Sequence, residues 1–588
     1  MSYVETSSRA EALLTAPGAP FAVVRGGDGR LRYAAGPRTL PEFADAARAH
    51  GDAPFLVGED GTVYTYRLFL RAARALARRL AGAYGLRPGD RAVIAGRNHP
   101  EWQVAFWAAQ FAGLVAVPLN AWWTAGECAY ALDDCAPGVL LADDERVRLL
   151  GGWASRNGVP CLDFRAAARE AAVHACEGAG CAGGTVPDAC GGVPDACGGV
   201  PDACGGAGCE GGSAAAALPV VRPDDDATIL YTSGTTGRPK GAVATHSAQV
   251  AAAMNPRYQA AAAALDRGGA PATARPPVSL TTFPFFHAAA FTSVYAVMAA
   301  GGTLVLMRRW DAAKALDLVD RHRVTHYAGV PATALQLLDA AAGRRLATLT
   351  NLNTGGAPAP PALVRRLTDA YGDRIEPRNG YGLTETCGGV LAHYGEAYRR
   401  RPDSVGRPTP VTETRVAGPD GRPLPDGETG ELLLRGQSLV RGYWRNPEAT
   451  AAAFTADGWF RTGDLAVVRE DGRISVVDRV KDVVIRGGEN VYCAEVEAAL
   501  YGHPAVAEAA VVGVPHPVLG EEVAAVVRLR EASGTVTAGE LRAHAACGLA
   551  AYKVPAHVVL QDLPLPRNAG GKVLKDRLRD ALAAAGGC

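Results

Sequence analysis

The stretch Tyr231-Thr-Ser-Gly-Thr-Thr-Gly-Arg-Pro-Lys-Gly-Ala242 is the most informative segment of the sequence, and it follows the apolar, strand-like run 227–231. The stretch combines three glycines with several hydroxyl side chains and the cations Arg238 and Lys240. Glycines let backbone N–H groups approach anionic oxygens, while hydroxyl and cationic side chains add donors and charge. Its spacing differs from that of a Walker A loop. We therefore predict a loop that binds a polyphosphate, against the alternative of a mobile loop without a ligand.

Length and charge limit the possible classes of protein. With 588 residues, of which 48% are hydrophobic, the chain can bury a large core and is expected to form two or more domains. Its 60 basic and 60 acidic residues give a formal net charge of zero, so we expect no nucleic-acid partner. Glu5 and Glu11 precede any apolar run, which argues against a secretory signal. The 13 cysteines, an odd number, then favour free thiols and a cytoplasmic location.

One segment has the length and polarity of a membrane span. Residues 285–307 contain no Asp, Glu, Lys or Arg, and about 20 apolar residues suffice to cross a bilayer. However, His287 and the pair Gly301-Gly302 interrupt the segment. We predict the order strand, loop, helix, turn, strand inside an α/β layer, and no membrane span.

The first part of the chain alternates helices and strands. Thr65 is a candidate N-cap for a helix that ends near Gly85, and runs 92–95 and 114–118 are predicted as buried strands around a second helix, 102–112. This order predicts a parallel α/β layer. The alternation resumes after the phosphate loop and continues to about residue 400.

A Gly- and Cys-rich tract interrupts this pattern between about 175 and 215. The unit Val186-Pro-Asp-Ala-Cys-Gly-Gly192 is repeated from 193 and again from 200, and the tract has almost no large side chain to bury. We therefore predict a disordered surface insertion. The alternative is a soft-metal site formed by Cys190, Cys197 and Cys204, but seven-residue spacing without histidine matches no ordinary zinc pattern.

The predicted pattern of secondary structure changes again from about residue 404. Repeated Asp-Gly pairs punctuate short strands, which predicts a small antiparallel or barrel-like subdomain. Beyond Arg479 a compact α+β unit is predicted, with a helix after Ala494, strands near 506–514 and 523–529, and a capping box formed by Thr537 and Glu540.

Seven further motifs occur in a definite order along the chain. They are Phe283-Pro-Phe-Phe-His287, Gly355-Gly-Ala-Pro358, Asn379-Gly-Tyr-Gly-Leu-Thr-Glu385, Gly458-Trp-Phe-Arg-Thr-Gly-Asp464, Asp478-Arg-Val-Lys-Asp482, Gly487-Gly-Glu-Asn490 and Pro566-Arg-Asn-Ala-Gly-Gly-Lys572. Together with the phosphate loop, they resemble the superfamily of AMP-forming acyl/aryl-CoA synthetases, luciferases and adenylation domains over nearly the whole chain. The resemblance implies an α/β fold with a large N-terminal domain, 1–478, of αβαβα layers plus the barrel-like β subdomain. A small mobile α+β C-terminal domain, 479–588, would follow.

The resemblance also implies which residues bind the nucleotide. Tyr381 would offer an aromatic face to adenine, Asp464 and Arg479 would contact the ribose, and Thr384 and Glu385 would hold Mg²⁺ on the triphosphate with hard oxygen atoms. The alternatives without a functional role are a core tyrosine, a turn aspartate and a solvated glutamate, and for Lys572 a surface lysine. The full predicted nucleotide and cofactor set is Thr232, Ser233, Gly234, Thr235, Thr236, Gly237, Lys240, Gly355, Gly356, Ala357, Asn379, Gly380, Tyr381, Gly382, Asp464, Arg479, Gly487 and Gly488.

The implied reaction has two steps. A carboxylate attacks the α-phosphate of Mg·ATP to give an acyl-adenylate, and the thiol of coenzyme A then displaces AMP. Lys572 would serve the first step as a cation, the face at Gly487-Gly488 would serve the second, and the small domain would rotate about Lys481 between them. His287 would lie between the acid pocket and the thiol channel.

The acid itself is less closely defined by the sequence. Residues 281–296 contain no aspartate to hold an α-amino group, which favours a fatty or other hydrophobic acid. The pocket is predicted to be apolar, lined by Phe286, Ala288, Phe291 and Thr292 and by the neighbourhood of 380–382. Two alternatives are a ligase that loads an acyl carrier protein and a non-catalytic binding homologue.

Two motifs depart from the usual pattern of the superfamily. Ala569-Gly570 replaces a common Pro-Ser before Gly571-Lys572, and Cys493 follows Tyr492 where proline is frequent. Neither departure removes a predicted functional side chain.

Overall fold

The computed structural model describes residues 9–177, 217–232, 238–269, 275–342, 346–530, 536–568 and 571–584. The predicted disordered tract therefore lies outside the described residues from 178 to 216, as do Ser233 to Gly237 of the phosphate loop and the Ala569-Gly570 pair.

Helices and strands alternate along most of the chain. The helices are α1 (Arg9–Thr15), α2 (Leu40–Ala46), α3 (Tyr66–Gly82), α4 (Pro100–Phe111), α5 (Ala125–Cys135), α6 (Asp144–Asn157), α7 (Phe164–Glu177), α8 (His246–Asp266), α9 (Ala288–Ala299), α10 (Ala312–Arg321), α11 (Pro331–Ala340), α12 (Pro361–Tyr371), α13 (Gly395–Arg400), α14 (Pro447–Ala453), α15 (Cys493–Tyr501), α16 (Ala538–Ala546) and α17 (Lys575–Ala584). The first strands are β1 (Val23–Arg25), β2 (Leu31–Tyr33), β3 (Pro54–Val57), β4 (Val63–Thr65), β5 (Arg91–Ala95), β6 (Val115–Leu119), β7 (Val139–Ala142), β8 (Cys161–Asp163), β9 (Asp226–Thr232), β10 (Lys240–Thr245), β11 (Val278–Thr281), β12 (Thr303–Leu306), β13 (His326–Gly329) and β14 (Asn351–Gly355). The remaining strands are β15 (Glu376–Leu383), β16 (Gly388–Tyr394), β17 (Arg407–Pro408), β18 (Thr412–Ala417), β19 (Thr429–Gly436), β20 (Gly442–Tyr443), β21 (Phe460–Val468), β22 (Ile474–Arg479), β23 (Val484–Arg486), β24 (Glu489–Val491), β25 (Val506–His516), β26 (Gly520–Leu529) and β27 (His557–Leu560).

The chain folds into two compact units. One contains residues 37–246 and 297–309, and the other contains 1–36, 247–296 and 310–588.

The unit that contains residues 37–246 is built on a sheet with the strand order β10-β9-β6-β5-β7-β8. Its strands pair in parallel except β9 and β10, which form an antiparallel pair. The predicted parallel layer is thus confirmed. The Thr65 hydroxyl caps α3 by accepting a hydrogen bond from the Leu68 N–H, as the sequence predicts. Every residue of α4 is buried, including Trp102 and Trp107.

The other unit contains a sheet with the order β17-β16-β15-β14-β13-β11. Strands β11, β13, β14 and β15 run parallel, and β16 turns back antiparallel to β15. In the register of β14 and β15, Gly355 lies opposite Gly380. The motifs that follow these two strands are therefore brought to the same edge of the sheet.

Three smaller sheets belong to this unit, and one of them is the antiparallel pair of β1 and β2. The predicted antiparallel subdomain is a four-stranded sheet, β18-β19-β21-β22, in whose register Asp464 lies opposite Arg479. The predicted α+β unit has the strand order β24-β23-β26-β25, and β27 pairs with β26. Apolar side chains of β25 and β26 pack on α15 and α16 on one face and on α17 on the other. Because both faces are covered, these strands read as nearly continuous apolar runs.

The apolar segment 285–307 contains α9, a turn and β12, as predicted, but its first predicted strand is wrong. The strand before α9 is β11, which ends at Thr281, and residues 282–287 form the connection. Pro284 explains the early end, because proline lacks the N–H that a central strand needs. Within the described residues, no helix combines the length and apolar character that a membrane crossing requires.

Candidate active site

Asp464 is the centre of a buried polar cluster. Its side chain is only 4% exposed, and its Oδ1 lies 3.0 Å from Nε of Arg479. The Tyr381 hydroxyl donates to the Oδ2 at 2.6 Å. The antiparallel register of β21 and β22 sets the first contact, and the end of β15 supplies the second. Both carboxylate oxygens are thereby fixed in direction, and each keeps lone-pair capacity for a further donor such as a ribose hydroxyl.

Tyr381 contributes more to this cluster than the sequence predicted. Its ring packs against the apolar core of the antiparallel subdomain, and burial raises the pKa of its hydroxyl well above the usual value. The hydroxyl is therefore a hydrogen-bond donor to Asp464 at any physiological pH. The predicted contact between its ring and adenine stays a prediction.

Close backbone approaches explain two of the glycines in this region. A Cβ on Gly382 would lie 2.0 Å from the Gly388 carbonyl oxygen, and one on Gly355 would lie 2.9 Å from that of Gly380. Gly356 has φ +74°, and its Cβ position is 3.8 Å from both Phe283 and Val330. The strand ends therefore present bare backbone, which can pass beside a flat base.

Glu385 lies in the short turn Thr384–Thr386 directly after β15. The Tyr443 hydroxyl donates to its Oε1 at 2.7 Å, and the Val440 N–H donates to its carbonyl at 2.9 Å. Burial raises the pKa of the carboxyl group, and the charge of Asp464 adds to this effect. Carboxylate and hydroxyl oxygens are ligands that a hard cation such as Mg²⁺ accepts, and the metal role of Thr384 and Glu385 stays a prediction.

Lys572 faces the same cluster from a hairpin of the α+β unit. Its N–H donates to Asn568 Oδ1 at 3.0 Å, and the Asn568 N–H donates to its carbonyl at 2.8 Å. Burial lowers the pKa of the Lys572 ammonium to about 8, and the nearby charge of Arg479 acts in the same direction. A Cβ on Gly571 would lie 3.0 Å from Val330, and Val330 also lies beside Gly356. Gly571 is therefore packed closely against the residues next to Gly356.

The predicted pivot, Lys481, is exposed in the turn Val480–Asp482. Residues on either side of it are tied to the start of α15. The Ala494 N–H donates to Asp478 Oδ2 at 3.3 Å, and the Cys493 thiol donates to the Asp482 carbonyl at 3.0 Å. Burial raises the pKa of this thiol, which disfavours the reactive thiolate form.

Gly487 and Gly488 form the exposed turn between β23 and β24. Their φ angles are +59° and +89°, a conformation that favours glycine. The turn thus lies at the surface of its unit, and its role in the thiol step stays a prediction.

His287 ends the connection that leads from β11 to α9. Its ring lies 5.0 Å from that of Phe286, and its Nε2 is shielded from solvent without a hydrogen-bond partner among the described residues. Burial lowers the pKa of the ring to about 4, so the imidazole is neutral at pH 7. Among the predicted pocket residues, Phe286 and Phe291 are buried, and the Thr292 hydroxyl accepts from the Gly389 N–H at 3.4 Å.

The two ends of the phosphate loop lie in the unit that contains residues 37–246. Thr232 pairs with Lys240 across β9 and β10, and Ser233, Gly234, Thr235, Thr236 and Gly237 are outside the described residues. Tyr130 of α5 donates to the Pro239 carbonyl at 3.2 Å, and the Arg238 guanidinium lies 5.3 Å from the centre of the Tyr130 ring. These contacts hold Arg238 and Pro239, directly before β10, against α5.

Sequence reasoning missed Tyr443, Asn568 and Tyr130. Asn568 is inside a recognised motif, so its proximity to Lys572 was a usable signal. Tyr130 and Tyr443 carry no local signal, because each is distant in the sequence from the residue that it supports.

Known proteins match this chain over most of its length. The chain matches the family described as "AMP-binding enzyme" over residues 43–444 and "AMP-binding enzyme C-terminal domain" over 495–572. It is 37% identical to a feruloyl-CoA synthase from Amycolatopsis sp, over 89% of this chain and 95% of that protein. It is 34% identical to the long-chain-fatty-acid–CoA ligase FadD13 of Mycobacterium tuberculosis, over 88% and 94% of the two chains.

Solved structures give the same assignment. An o-succinylbenzoate CoA synthetase from Bacillus subtilis, in complex with an acyl-adenylate intermediate, matches with a TM-score of 0.73 and 28% identity, over 92% of this chain and 98% of that chain. ATP-bound MatB from Rhodopseudomonas palustris matches with a TM-score of 0.74 and 29% identity, over 92% and 98%. The chain therefore belongs to the AMP-binding enzyme family. Within that family it is an AMP-forming acid–CoA ligase.

Proposed function

We propose that this ligase uses Mg·ATP to convert a hydrophobic carboxylic acid into an acyl-adenylate and then transfers the acyl group to coenzyme A. The observation that carries the proposal is the charged cluster formed by Lys572, Asp464 and Arg479. It brings a partly desolvated cation to a carboxylate–guanidinium pair suited to a ribose, which is the arrangement that nucleotidyl transfer to a carboxylate needs.

In the first step, a carboxylate oxygen of the acid bonds to the α-phosphorus of ATP while the bond to the departing pyrophosphate breaks. Lys572 neutralises the charge that the acid and the α-phosphate bring together, and Asp464 and Arg479 hold the ribose in place. Thr384 and Glu385 would hold Mg²⁺, which supplies neutralisation of the triphosphate charge when it is bound. The phosphate loop, from Thr232 to Lys240, contacts the phosphates.

In the second step, the thiol sulfur of coenzyme A bonds to the acyl carbon, the bond between this carbon and the AMP oxygen breaks, and the thiol proton passes to solvent. The domain 479–588 rotates about Lys481 before this step, so that Gly487 and Gly488 replace Lys572 at the site. His287 lies where the acid and the thiol meet. Because its imidazole is neutral, it can accept a hydrogen bond from the thiol.

The hydrophobic character of the acid is inferred from the connection before α9 and the helix itself. Phe283, Phe286 and Phe291 are buried there, and residues 281–296 contain no carboxylate side chain that could bind an amino group. The names of the relatives add two candidate classes, an aromatic propenoic acid such as ferulate and a long-chain fatty acid.

The test is a screen of pyrophosphate release with ferulate, palmitate, 2-methylpropanoate and sulfoacetate, each with and without coenzyme A. We expect release with at least one of the first three acids, and a thioester detected by mass spectrometry only when coenzyme A is present. A holo acyl carrier protein serves as the competing acceptor. Preferential loading of the carrier, or release only with the charged sulfoacetate, would contradict the proposal.

A further inference from the structure

A buried carboxylate lies behind the Lys572 hairpin, outside the cluster described above. Glu508 of β25 has a side chain that is 9% exposed, and its Oε1 lies 2.7 Å from Nη2 of Arg567. Its Oε2 accepts from Nε of Arg528 at 2.8 Å and from the Leu565 N–H at 3.1 Å. Burial by itself would raise the pKa of Glu508, but these donors and charges lower it overall. Glu508 is therefore ionised, and both of its carboxylate oxygens accept hydrogen bonds.

Arg567 connects this carboxylate to the hairpin. Its Nε and Nη2 both donate to Glu508 Oε1, at 3.2 and 2.7 Å. Its Nη1 donates to the carbonyl of Gly571, the residue before Lys572, at 2.7 Å. The backbone of Arg567 also forms an isolated antiparallel β-bridge with that of Val573. The planar guanidinium thus sets the distance between a rigid strand and the peptide that carries Lys572.

Arg528 binds the same carboxylate without reaching the hairpin. It extends from β26, and within the described part of the chain its guanidinium donates to Glu508 Oε2 at 2.8 Å. The two arginines therefore share one ionic partner, and only Arg567 makes contact with the backbone next to Lys572.

We propose that Glu508 and Arg567 are positioning residues for adenylation, which fix the Lys572 ammonium at the site through the Gly571 carbonyl. The proposal rests on the proposed role of Lys572. Glu508, Arg567 and Gly571 belong to the same predicted domain as Lys572, residues 479–588, so they would rotate together with it. Their contacts are therefore not required in the thiol step, when Lys572 has left the site. A displacement of about 1 Å can reduce a rate by roughly a hundredfold, so the position of the hairpin is as important as its charge.

The first test compares Arg567→Met with the matched control Arg528→Met in single-turnover assays of each half-reaction, using ferulate and palmitate as probes. We expect Arg567→Met to slow acyl-AMP formation at least about tenfold. Thioester formation from supplied acyl-AMP should stay within about twofold, and Arg528→Met should stay within about threefold in both assays. Equal loss of both half-reactions, or equal slowing by the two variants, would overturn the proposal.

A second readout does not depend on ligase activity. The reactivity of Lys572 with an amine-selective reagent, followed against pH by peptide mass spectrometry, reports the pKa of its ammonium group. The charges that face this group are Arg479, Lys481, Asp464 and Asp482. We expect a midpoint near pH 8 in the parent protein and in Arg528→Met, and a higher midpoint in Arg567→Met, where the loosened hairpin becomes better solvated.

Arg567→Lys covers the case in which Arg567→Met does not fold. Lysine keeps the positive charge beside Glu508 but cannot reach both this carboxylate and the Gly571 carbonyl with a fixed fork. We expect a melting temperature close to that of the parent, with slow adenylation and a raised labelling midpoint. A normal rate together with an unshifted midpoint would overturn the positioning role. If the Arg567 variants raised the labelling midpoint of Lys572 but the parent protein formed no acyl-AMP, the positioning of Lys572 by Arg567 would be supported and the proposed function would be refuted.

Discussion

Lys572 has an ammonium group whose pKa is lowered from 10.5 to about 8. Burial disfavours the charged form, and Arg479 and Lys481 repel it, while Asp464 and Asp482 offset part of this effect. The proposed role requires the charged form, because only a cation can neutralise the acid and the α-phosphate. The side chain therefore loses its function as the pH rises through this pKa.

The first prediction is a pH limit on adenylation. Because kcat/KM for ATP reports the free enzyme, it should be flat between pH 6.5 and 7.5 and fall above about pH 8 in the acyl-AMP-forming half-reaction. In Lys572→Arg the guanidinium stays charged, so the alkaline limb should disappear even if the rate is lower throughout. The measurement is stopped-flow detection of pyrophosphate over pH 6.5–10. An identical alkaline limb in both proteins would assign it to another group.

Glu385 and Tyr443 give the second prediction. Glu385→Gln removes the negative charge proposed to attract Mg²⁺, so the Mg²⁺ concentration for half-maximal adenylation should rise by more than about tenfold. Tyr443→Phe removes only the 2.7 Å hydrogen bond that orients the carboxylate, and its effect should be smaller and in the same direction. The measurement is a Mg²⁺ titration at fixed total ATP, with circular dichroism as the folding control. An unchanged Mg²⁺ dependence in Glu385→Gln would remove this residue from the site.

At the scale of elements, the turn Val480–Asp482 joins β22 to the α+β unit. Its neighbours are held by α15, since Asp478 accepts from the N-terminal Ala494 N–H of this helix. A carboxylate at a helix N-terminus is favoured by the helix dipole. Lys481 itself is exposed, so its backbone can change conformation without opening a packed core.

The third prediction uses Lys481 and Lys572 as opposed probes. Proline at 481 fixes φ and restricts Val480, so Lys481→Pro should slow thioester formation from supplied acyl-AMP at least tenfold while adenylation is largely kept. Lys572→Ala should do the reverse, with a loss of roughly a hundredfold or more in acyl-AMP formation. Single-turnover kinetics of each half-reaction measure both effects. If both variants lost both half-reactions equally, a single fixed arrangement of the domain would be the simpler account.

At the scale of the whole molecule, one family match covers residues 495–572, and the larger match spans residues 43–444. The Gly/Cys repeats lie within this span, between α7 and β9, and carry none of the residues placed in the site. Their composition offers almost no side chain that a core could bury.

The fourth prediction is that the repeats are dispensable. Deletion of residues 185–212 should leave the melting temperature within about 2 °C and both half-reactions within about twofold, because a segment without large apolar side chains contributes little to packing. A control deletion of equal length placed across β5 should abolish folding. Stoichiometric zinc in the intact protein, or a large fall in melting temperature on deletion, would contradict this prediction.

The sequence by itself determined the elements and the identity of the motifs. Thr65 and Thr537 cap α3 and α16 as predicted, because a cap depends on residues three positions apart. The strands β5, β6 and β9 follow from short apolar runs between turns. The misplaced strand before α9 shows the limit of this approach, since an apolar run alone does not distinguish a buried connection from a strand.

Only the tertiary structure decided which side chains meet. Asp464 faces Arg479 because of the register between β21 and β22, while Tyr443 reaches Glu385 across 58 residues and Arg567 reaches Glu508 across 59. Strand register and the docking of distant segments depend on the packing of whole sheets, which no local pattern encodes. The lowered pKa of Lys572 has the same origin, because burial and the surrounding charges exist only after the chain has folded.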